Sequence, residues 1–322
     1  MADCARLAPE ATPLAVIKND YGPARFTADD DAIYFASERR VYRLPFASGG
    51  AVPLTPAPGP NAPDLDRLDV DGDTIVWAMG GQLEAVSTHG GTPRVIAALP
   101  FDAGFAILSG AWVITASYTD PFVPAPVYRV PAAGGTPEPI LASASLYGAT
   151  RDDATGHVWL MTTNGLLDVD PASRRVATAD GNSSGAAPAT AAGRVFFVGF
   201  QLPTGGTTSG LGIFEVEPGA PSTELIVGTF QSIAADADDV VFDGEIGVTP
   251  GEMRAHASIG VLPLDGSAPL LLAESDTFIN SPNTTSFDTD SVRTDGTFVY
   301  FADRCTELPG DEWRLVRLCK HP

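Results

Sequence analysis

Residues 29–54, DDDAIYFASERRVYRLPFASGGAVPL, decide the fold. An acidic turn, Asp29-Asp30-Asp31, opens the stretch. An apolar run follows, Ile33-Tyr34-Phe35, then Val41-Tyr42-Arg43-Leu44-Pro45, the turn Gly49-Gly50, and Val52-Pro53-Leu54. β-Branched and aromatic residues broken by Asp, Gly and Pro every few positions are strand chemistry. Proline beside a strand suits its end or an edge, where no ladder N–H is missed.

The unit recurs. Asp71-Gly72-Asp73 precedes Ile75-Val76-Trp77, and Ser109-Gly110 precedes Trp112-Val113-Ile114. Thr155-Gly156 precedes Val158-Trp159-Leu160, and Ala192-Gly193 precedes Val195-Phe196-Phe197. Asp236-Ala237-Asp238 precedes Val240-Val241-Phe242, and Asp295-Gly296 precedes Phe298-Val299-Tyr300. The second half of the unit returns as Val127–Pro131 with Gly134-Gly135, and as Ile259–Pro263 with Asp265-Gly266. Leu83–Val86 with Gly90-Gly91 is a further copy.

Each unit reads as four short antiparallel strands, A to D. A sheet that small cannot bury both faces alone, and radial packing lets each sheet cover its neighbours. The expected fold is all-β, a seven-bladed β-propeller in one domain spanning residues 1–322. The blades fall at about 22–60, 61–101, 102–144, 145–184, 185–229, 230–278, and 286–322 plus 11–18. The repeat resembles the bacterial TolB-like and YWTD (LDL-receptor-type) propeller families. It departs from them in blade number, which is commonly six there. Ile33-Tyr34-Phe35-Ala36 stands where the YWTD tetrad would be. The resemblance implies architecture, and a fold hosts many functions.

The last unit lacks its fourth strand. Thr12-Pro13-Leu14-Ala15-Val16-Ile17 reads like Thr92-Pro93-Arg94-Val95-Ile96-Ala97, the fourth strand of the second unit. The N-terminal strand is therefore expected to close the last blade, removing exposed edges. Of the three cysteines, Cys4 and Cys319 fall on the same turn side of that blade, and Cys305 on the other. A Cys4–Cys319 disulfide is expected, with three unlinked thiols as the alternative in a reducing compartment.

The chain has 322 residues, with 33 Gly and 28 Pro, which excludes a helical bundle. Its net charge of −21 disfavours nucleic-acid backbones and anionic membrane surfaces. No run reaches the ~18 apolar residues of a membrane span. Two lysines against seventeen arginines suggest a GC-rich bacterial source. The expected location is cytoplasmic, or periplasmic, cell-surface or secreted if a leader precedes Met1.

No catalytic constellation emerges. His89, His157, His256 and His321 have no partner at metal-ligand spacing. The Asp clusters at 29–31, 69–73, 236–239 and 288–295 are what tight turns require. Asp69-Val70-Asp71-Gly72-Asp73 imitates a calcium loop but lacks the distal Glu, so no cofactor is expected, with calcium as the alternative. Gly181-Asn182-Ser183-Ser184-Gly185 matches the nucleophile-elbow pattern but is expected in a loop between blades.

The longest insertions are Tyr118–Pro126, Gln201–Gly210, Glu245–Ala257, Ser275–Ser291 and Asp303–Glu312. As B–C or D–A connections they emerge on one face, where sites usually sit on a rigid scaffold. The candidate binding residues there are Tyr118, Asp120, Glu252, Arg254, His256, Asn280, Asn283, Glu307, Asp311 and Trp313. Their mix of acidic and aromatic groups suits a protein, peptide or polar small-molecule partner. The expected function is a non-catalytic, monomeric binding module. The alternative is a propeller enzyme, a metal-dependent lactonase-like hydrolase or a lyase. Its site would be in the central channel, where Arg25, Arg67, Arg151, Asp288 and Arg293 are placed at strand A starts.

Overall fold

The computed structural model describes residues 12–18, 26–46, 50–59, 65, 67–117, 123–181, 183–201, 211–217, 220, 222–247, 257–275, 292–303 and 312–320. Among these residues all regular structure is β, and no helix is long and apolar enough to cross a membrane. The first strand, β1 (Thr12–Lys18), waits for the end of the chain. Four strands then form the first consecutive sheet: β2 (Phe26–Ala28), β3 (Ala32–Ser37), β4 (Arg40–Pro45) and β5 (Val52–Pro53). The next is β6 (Leu68–Asp71), β7 (Thr74–Met79), β8 (Gln82–Ser87) and β9 (Arg94–Ala98). A third is β10 (Ala103–Ser109), β11 (Trp112–Ser117), β12 (Ala125–Pro131) and β13 (Glu138–Ala144). A fourth is β14 (Leu146–Arg151), β15 (Val158–Thr162), β16 (Gly165–Asp170) and β17 (Arg175–Asp180).

A seven-stranded sheet follows, with β18 (Ser183–Ala191), β19 (Arg194–Gln201), β20 (Gly212–Val216), β21 (Thr223–Ala235), β22 (Asp239–Ile246), β23 (Ala257–Pro263) and β24 (Leu270–Ser275). The final sheet is β25 (Val292–Thr294), β26 (Phe298–Asp303) and β27 (Glu312–Cys319), with β1 paired antiparallel to β27 from Thr12↔Arg317 to Lys18↔Glu312. The N-terminal strand thus completes the last sheet, and Ile17 is fully buried there.

Seven separate four-stranded sheets were expected, whereas the described residues form five and one of seven strands. The cause is β21, whose thirteen residues run on without a turn. Thr223–Val227 pair with β20, and Gly228–Ala235 pair with β22. The Gly181–Gly185 stretch also differs from expectation. Ser183 and Ser184 lie in β18, opposite Gln201 and Phe200, and not in a loop or a strand-to-helix turn. Asn182 lies outside the described residues.

Burial follows position within each meander. The second strands are buried on both sides, as in β7 (Thr74–Met79) and β15, whose five residues are all buried. The fourth strands face outward: Val52 and Val95 are each 54% exposed. Such a gradient arises when sheets stand face to face with a neighbour on each side. Seven core clusters record this stacking, each spanning two successive meanders. The cycle closes where Ile17, Tyr300 and Leu315 of the last sheet pack on Phe26, Ile33 and Phe35 of the first. Within the seven-stranded sheet, Phe196 and Ile213 pack on Phe230 and Phe242, so its two halves face each other across β21.

The two lysines flank this closure. Lys18 Nζ lies 3.3 Å from Glu312 and 3.7 Å from Glu38 of the first sheet. Lys320, 1% exposed, sits just beyond β27 and reaches the turn between β21 and β22, with Nζ 2.5 Å from Asp236 Oδ2 and 2.7 Å from Asp239 Oδ2.

Candidate functional site

The acidic turns are structural devices. Asp29 Oδ1 accepts the N–H groups of Asp31 and Ala32, both at 2.8 Å. Asp295 Oδ1 accepts those of Thr297 and Phe298, and Asp236 Oδ1 those of Asp238 and Asp239. A carboxylate that caps its own turn replaces ladder bonds the chain reversal gives up. The other oxygen reaches outward: Tyr34 donates to Asp29 Oδ2 and Tyr300 to Asp295 Oδ2, each at 2.7 Å. Position i paired with i+5 is thus repeated in the first and last sheets.

One cavity gathers the first strands of six meanders. Its volume is about 190 Å³, and Thr27 (β2), Asp69 (β6), Arg151 (β14), Thr190 (β18), Ile233 (β21) and Arg293 (β25) line it. The centrepiece is Arg151, last residue of β14. Its Nη1 lies 3.3 Å from Asp69 Oδ2 and 4.0 Å from Asp71 Oδ2, and its Nε donates to Asp153 Oδ1 at 2.6 Å. Nη1 also donates to the carbonyl of Leu108 on β10, and Nη2 to that of Val70 at 3.1 Å. Asp69 Oδ2 accepts the Leu108 N–H at 2.7 Å, so one carboxylate links β6, β10 and β14. Burial raises the Asp69 carboxyl to about 6, against the opposing pull of the Arg151 charge. Two carboxylates of the calcium-like stretch, Asp69 and Asp71, are therefore engaged by a guanidinium and by backbone amides, Asp71 accepting from Gly110 N–H at 2.8 Å, while Asp73 is exposed, 3.8 Å from His89.

The channel residues stand differently from expectation. Arg151 ends β14 and Arg293 is the middle residue of β25, so neither is at a strand start. Six residues at ~3.3 Å each carry β14 about 20 Å, which puts Arg151 on the face of the short A–B turns, opposite the long connections. Arg67 does precede β6 and is 6% exposed. Arg25 and Asp288 lie outside the described residues.

Of the expected binding residues, Tyr118, Asp120, Glu252, Arg254, His256, Asn280, Asn283, Glu307 and Asp311 lie outside the described residues. Trp313 is described and is not a loop residue. It sits in β27 opposite Ile17, half-buried against the cluster joining the last and first sheets. Cys4 and Cys305 also lie outside the described residues, and Cys319 ends β27, partly exposed.

Three features escaped sequence reading because each depends on how strands pair or pack. Asp69 and Arg151 are 82 positions apart, and Asp236 and Lys320 are 84 apart. His157 Nδ1 lies 2.7 Å from Asp168 Oδ1, a pairing that the hairpin register of β15 and β16 creates. Among the described residues no group of three or more His, Cys, Asp or Glu is arranged to hold a metal ion.

No family model and no curated protein matches the sequence. Solved structures do match. The tricorn protease superposes with a TM-score of 0.60 at 13% identity, over 96% of this chain and 36% of that one. BamB from Moraxella catarrhalis gives 0.56 at 12%, over 97% and 98% of the two chains. The GH74 xyloglucanase from Xanthomonas campestris gives 0.58 at 13%, over 81% and 46%. The chain thus spans about a third of the tricorn protease chain and nearly all of BamB. At these identities the likeness is one of fold: the chain is a β-propeller repeat protein.

Proposed function

We propose that this β-propeller is a non-catalytic binding module that docks a protein, peptide or polar small-molecule partner on the face of its long connections. The observation behind the proposal is topological. Five long stretches join β11 to β12, β19 to β20, β22 to β23, β24 to β25 and β26 to β27. In antiparallel meanders all of these joins fall at the same end of the sheets. A rigid scaffold carrying its longest connections on one face is the usual arrangement for recognition. Among the described residues, the two carboxylates on the channel wall, Asp69 and Asp153, pair with Arg151.

The same proposal takes the seven-stranded sheet as two four-stranded blades sharing β21, for seven blades in one domain. The partner change at Val227–Gly228 and the face-to-face packing of the two halves support that count. A monomer with a Cys4–Cys319 bond in a periplasmic, cell-surface or secreted setting completes the reading.

The test is a crosslinking pull-down with the full chain and a variant lacking residues 252–256. Partners held by the full chain should be lost from the variant while its melting temperature is kept. Unchanged capture refutes the assignment of the face.

A further inference from the structure

We propose that a cleft between the two halves of the seven-stranded sheet is a binding site for a small organic ammonium ion with an apolar body. The cleft opens among the A–B and C–D turns, so the site does not depend on the docking face proposed above.

The seam between neighbouring meanders is closed elsewhere by the C–D turn. In the third meander the chain leaving β12 reads Pro131-Ala132-Ala133-Gly134-Gly135. Ala132 N–H donates to the Ala111 carbonyl at 2.8 Å, and Gly135 N–H crosses to the Ile96 carbonyl of the second meander at 3.0 Å. The second meander does the same, Gly91 N–H donating to the Leu54 carbonyl of the first at 3.1 Å. In the sixth meander the chain leaving β23 reads Pro263-Leu264-Asp265-Gly266-Ser267. It begins alike, with Leu264 N–H on the Asp238 carbonyl at 2.8 Å. The Ser267 N–H, at the place of Gly135, instead goes to Asp265 Oδ1 at 2.8 Å, inside its own turn. The spacing agrees. A Cβ on Gly134 would stand 3.4 Å from the Ile96 carbonyl oxygen, whereas one on Gly266 would meet nothing within 4 Å.

A cavity of about 680 Å³ stands in this opening, within the ~300–1,000 Å³ of pockets that take small molecules. Val261 and Pro263 of β23, Leu264 of the turn and Leu270 of β24 give it an apolar wall. Leu270 is 41% exposed, so the apolar body of a ligand has surface left to cover.

The polar wall sets the sign of the ligand's charge. It carries Arg194, Asp238, Asp239 and Asp265. Arg194 is held by Glu215 through Nε and, at 2.8 Å, through Nη2. Asp239 is held by Lys320 at 2.7 Å. Asp238 and Asp265 have no ion pair among the described residues. The Ser267 donors hold the Asp265 carboxyl below the usual carboxylate range, so it stays ionised at neutral pH. Two uncompensated carboxylates beside an apolar wall attract a cation, repel an anion and leave a neutral ligand only the apolar contact.

Phenethylammonium is the probe, with phenethyl alcohol and hydrocinnamate carrying a similar ring and chain on a neutral and an anionic group. Titration of the full chain is followed by NMR at the methyl groups of Leu264 and Leu270. The ammonium should shift both and bind roughly tenfold more tightly than the alcohol, with hydrocinnamate the weakest. That ratio should shrink as salt is raised to ~0.5 M, a check that needs no variant. In Asp238→Asn the ammonium should weaken about threefold while the alcohol binds as before and the melting temperature is kept. Leu270→Ser should weaken ammonium and alcohol alike. The proposal is overturned if the ammonium shifts neither methyl, if the alcohol binds as tightly, or if salt leaves their ratio unchanged. A folded Asp238→Asn protein that keeps the wild-type ratio overturns it as well.

Discussion

Replacing Lys320 by Met tests what holds the closing sheet to its neighbour. Lys320 Nζ is within 2.7 Å of two carboxylates, and the residue is 1% exposed. Methionine keeps the apolar stem and removes the charge. Asp236 would retain its two turn amides and the Thr294 hydroxyl. Asp239, 2% exposed, would be left as a buried carboxylate beside Asp236 without the cation. Removing one partner of a buried ion pair costs about 3–5 kcal/mol. With ~2.1 cal/mol/K of unfolding entropy per residue, the 322-residue chain would melt about 6 °C lower.

The pH dependence gives the sign. Burial opposes the Lys320 charge, but its two carboxylates outweigh burial and raise its pKa. That contribution is present below the ordinary lysine value and fades as pH rises past it. For Asp236, burial is outweighed by Lys320 and the turn donors, so its pKa is lowered. Its contribution is present above the ordinary carboxylate value and lost as pH falls through the lowered one. Wild-type stability from this cluster is thus level across neutral pH. In Lys320→Met the lysine's hold on Asp236 is gone, so the deficit narrows as pH falls from 7 into the carboxylate range at about 4. Calorimetric melting at the two pH values measures this, and adding Asp239→Asn to the variant should recover much of the loss. A single variant that melts within 1 °C of wild type at neutral pH refutes the reasoning.

Two further outcomes follow from the core and the cavity. A Cβ on Gly260 would stand 2.3 Å from Cζ of Phe242, a fully buried ring packed edge-to-face on Phe230. Gly260→Ala should lose about 1–3 kcal/mol in urea unfolding, and Phe242→Leu in the same chain should recover part of it; a neutral Gly260→Ala would contradict this packing. Asp69 is raised by burial to about 6 from 3.8, so its contribution is complete below the unfolded value and lost as pH rises through about 6. Relative to Asp69→Asn, the wild type should therefore lose up to about 3 kcal/mol between pH 4 and pH 7.5, and parallel stability curves would argue against a buried, titrating carboxyl.

Much of the architecture is local and could be read along the chain. The pairing of β1 with β27 was legible because Thr12–Ile17 copies the pattern of an earlier fourth strand. The Asp-rich turns were legible because capping is a contact over two or three residues. The continuity of β21 was not, because Val227-Gly228 carries no turn residue pair and the change of partner there depends on the sheets on either side. The ends of β14 and β25 were misjudged for a related reason. Which end of a strand meets the cavity depends on direction in space, which residue type does not encode.

Periodicity, turn chemistry and repetition were enough to specify an all-β chain of short meanders with its first strand paired to its last, because each of these rests on contacts between near neighbours or between copies of one pattern. The charged centre was decided by folding alone. Asp69 meets Arg151, and Lys320 meets Asp236, only when distant meanders are brought side by side. Burial then raises the Asp69 carboxyl, and Lys320 lowers Asp236 against burial, because neither environment exists until the surrounding sheets are in place.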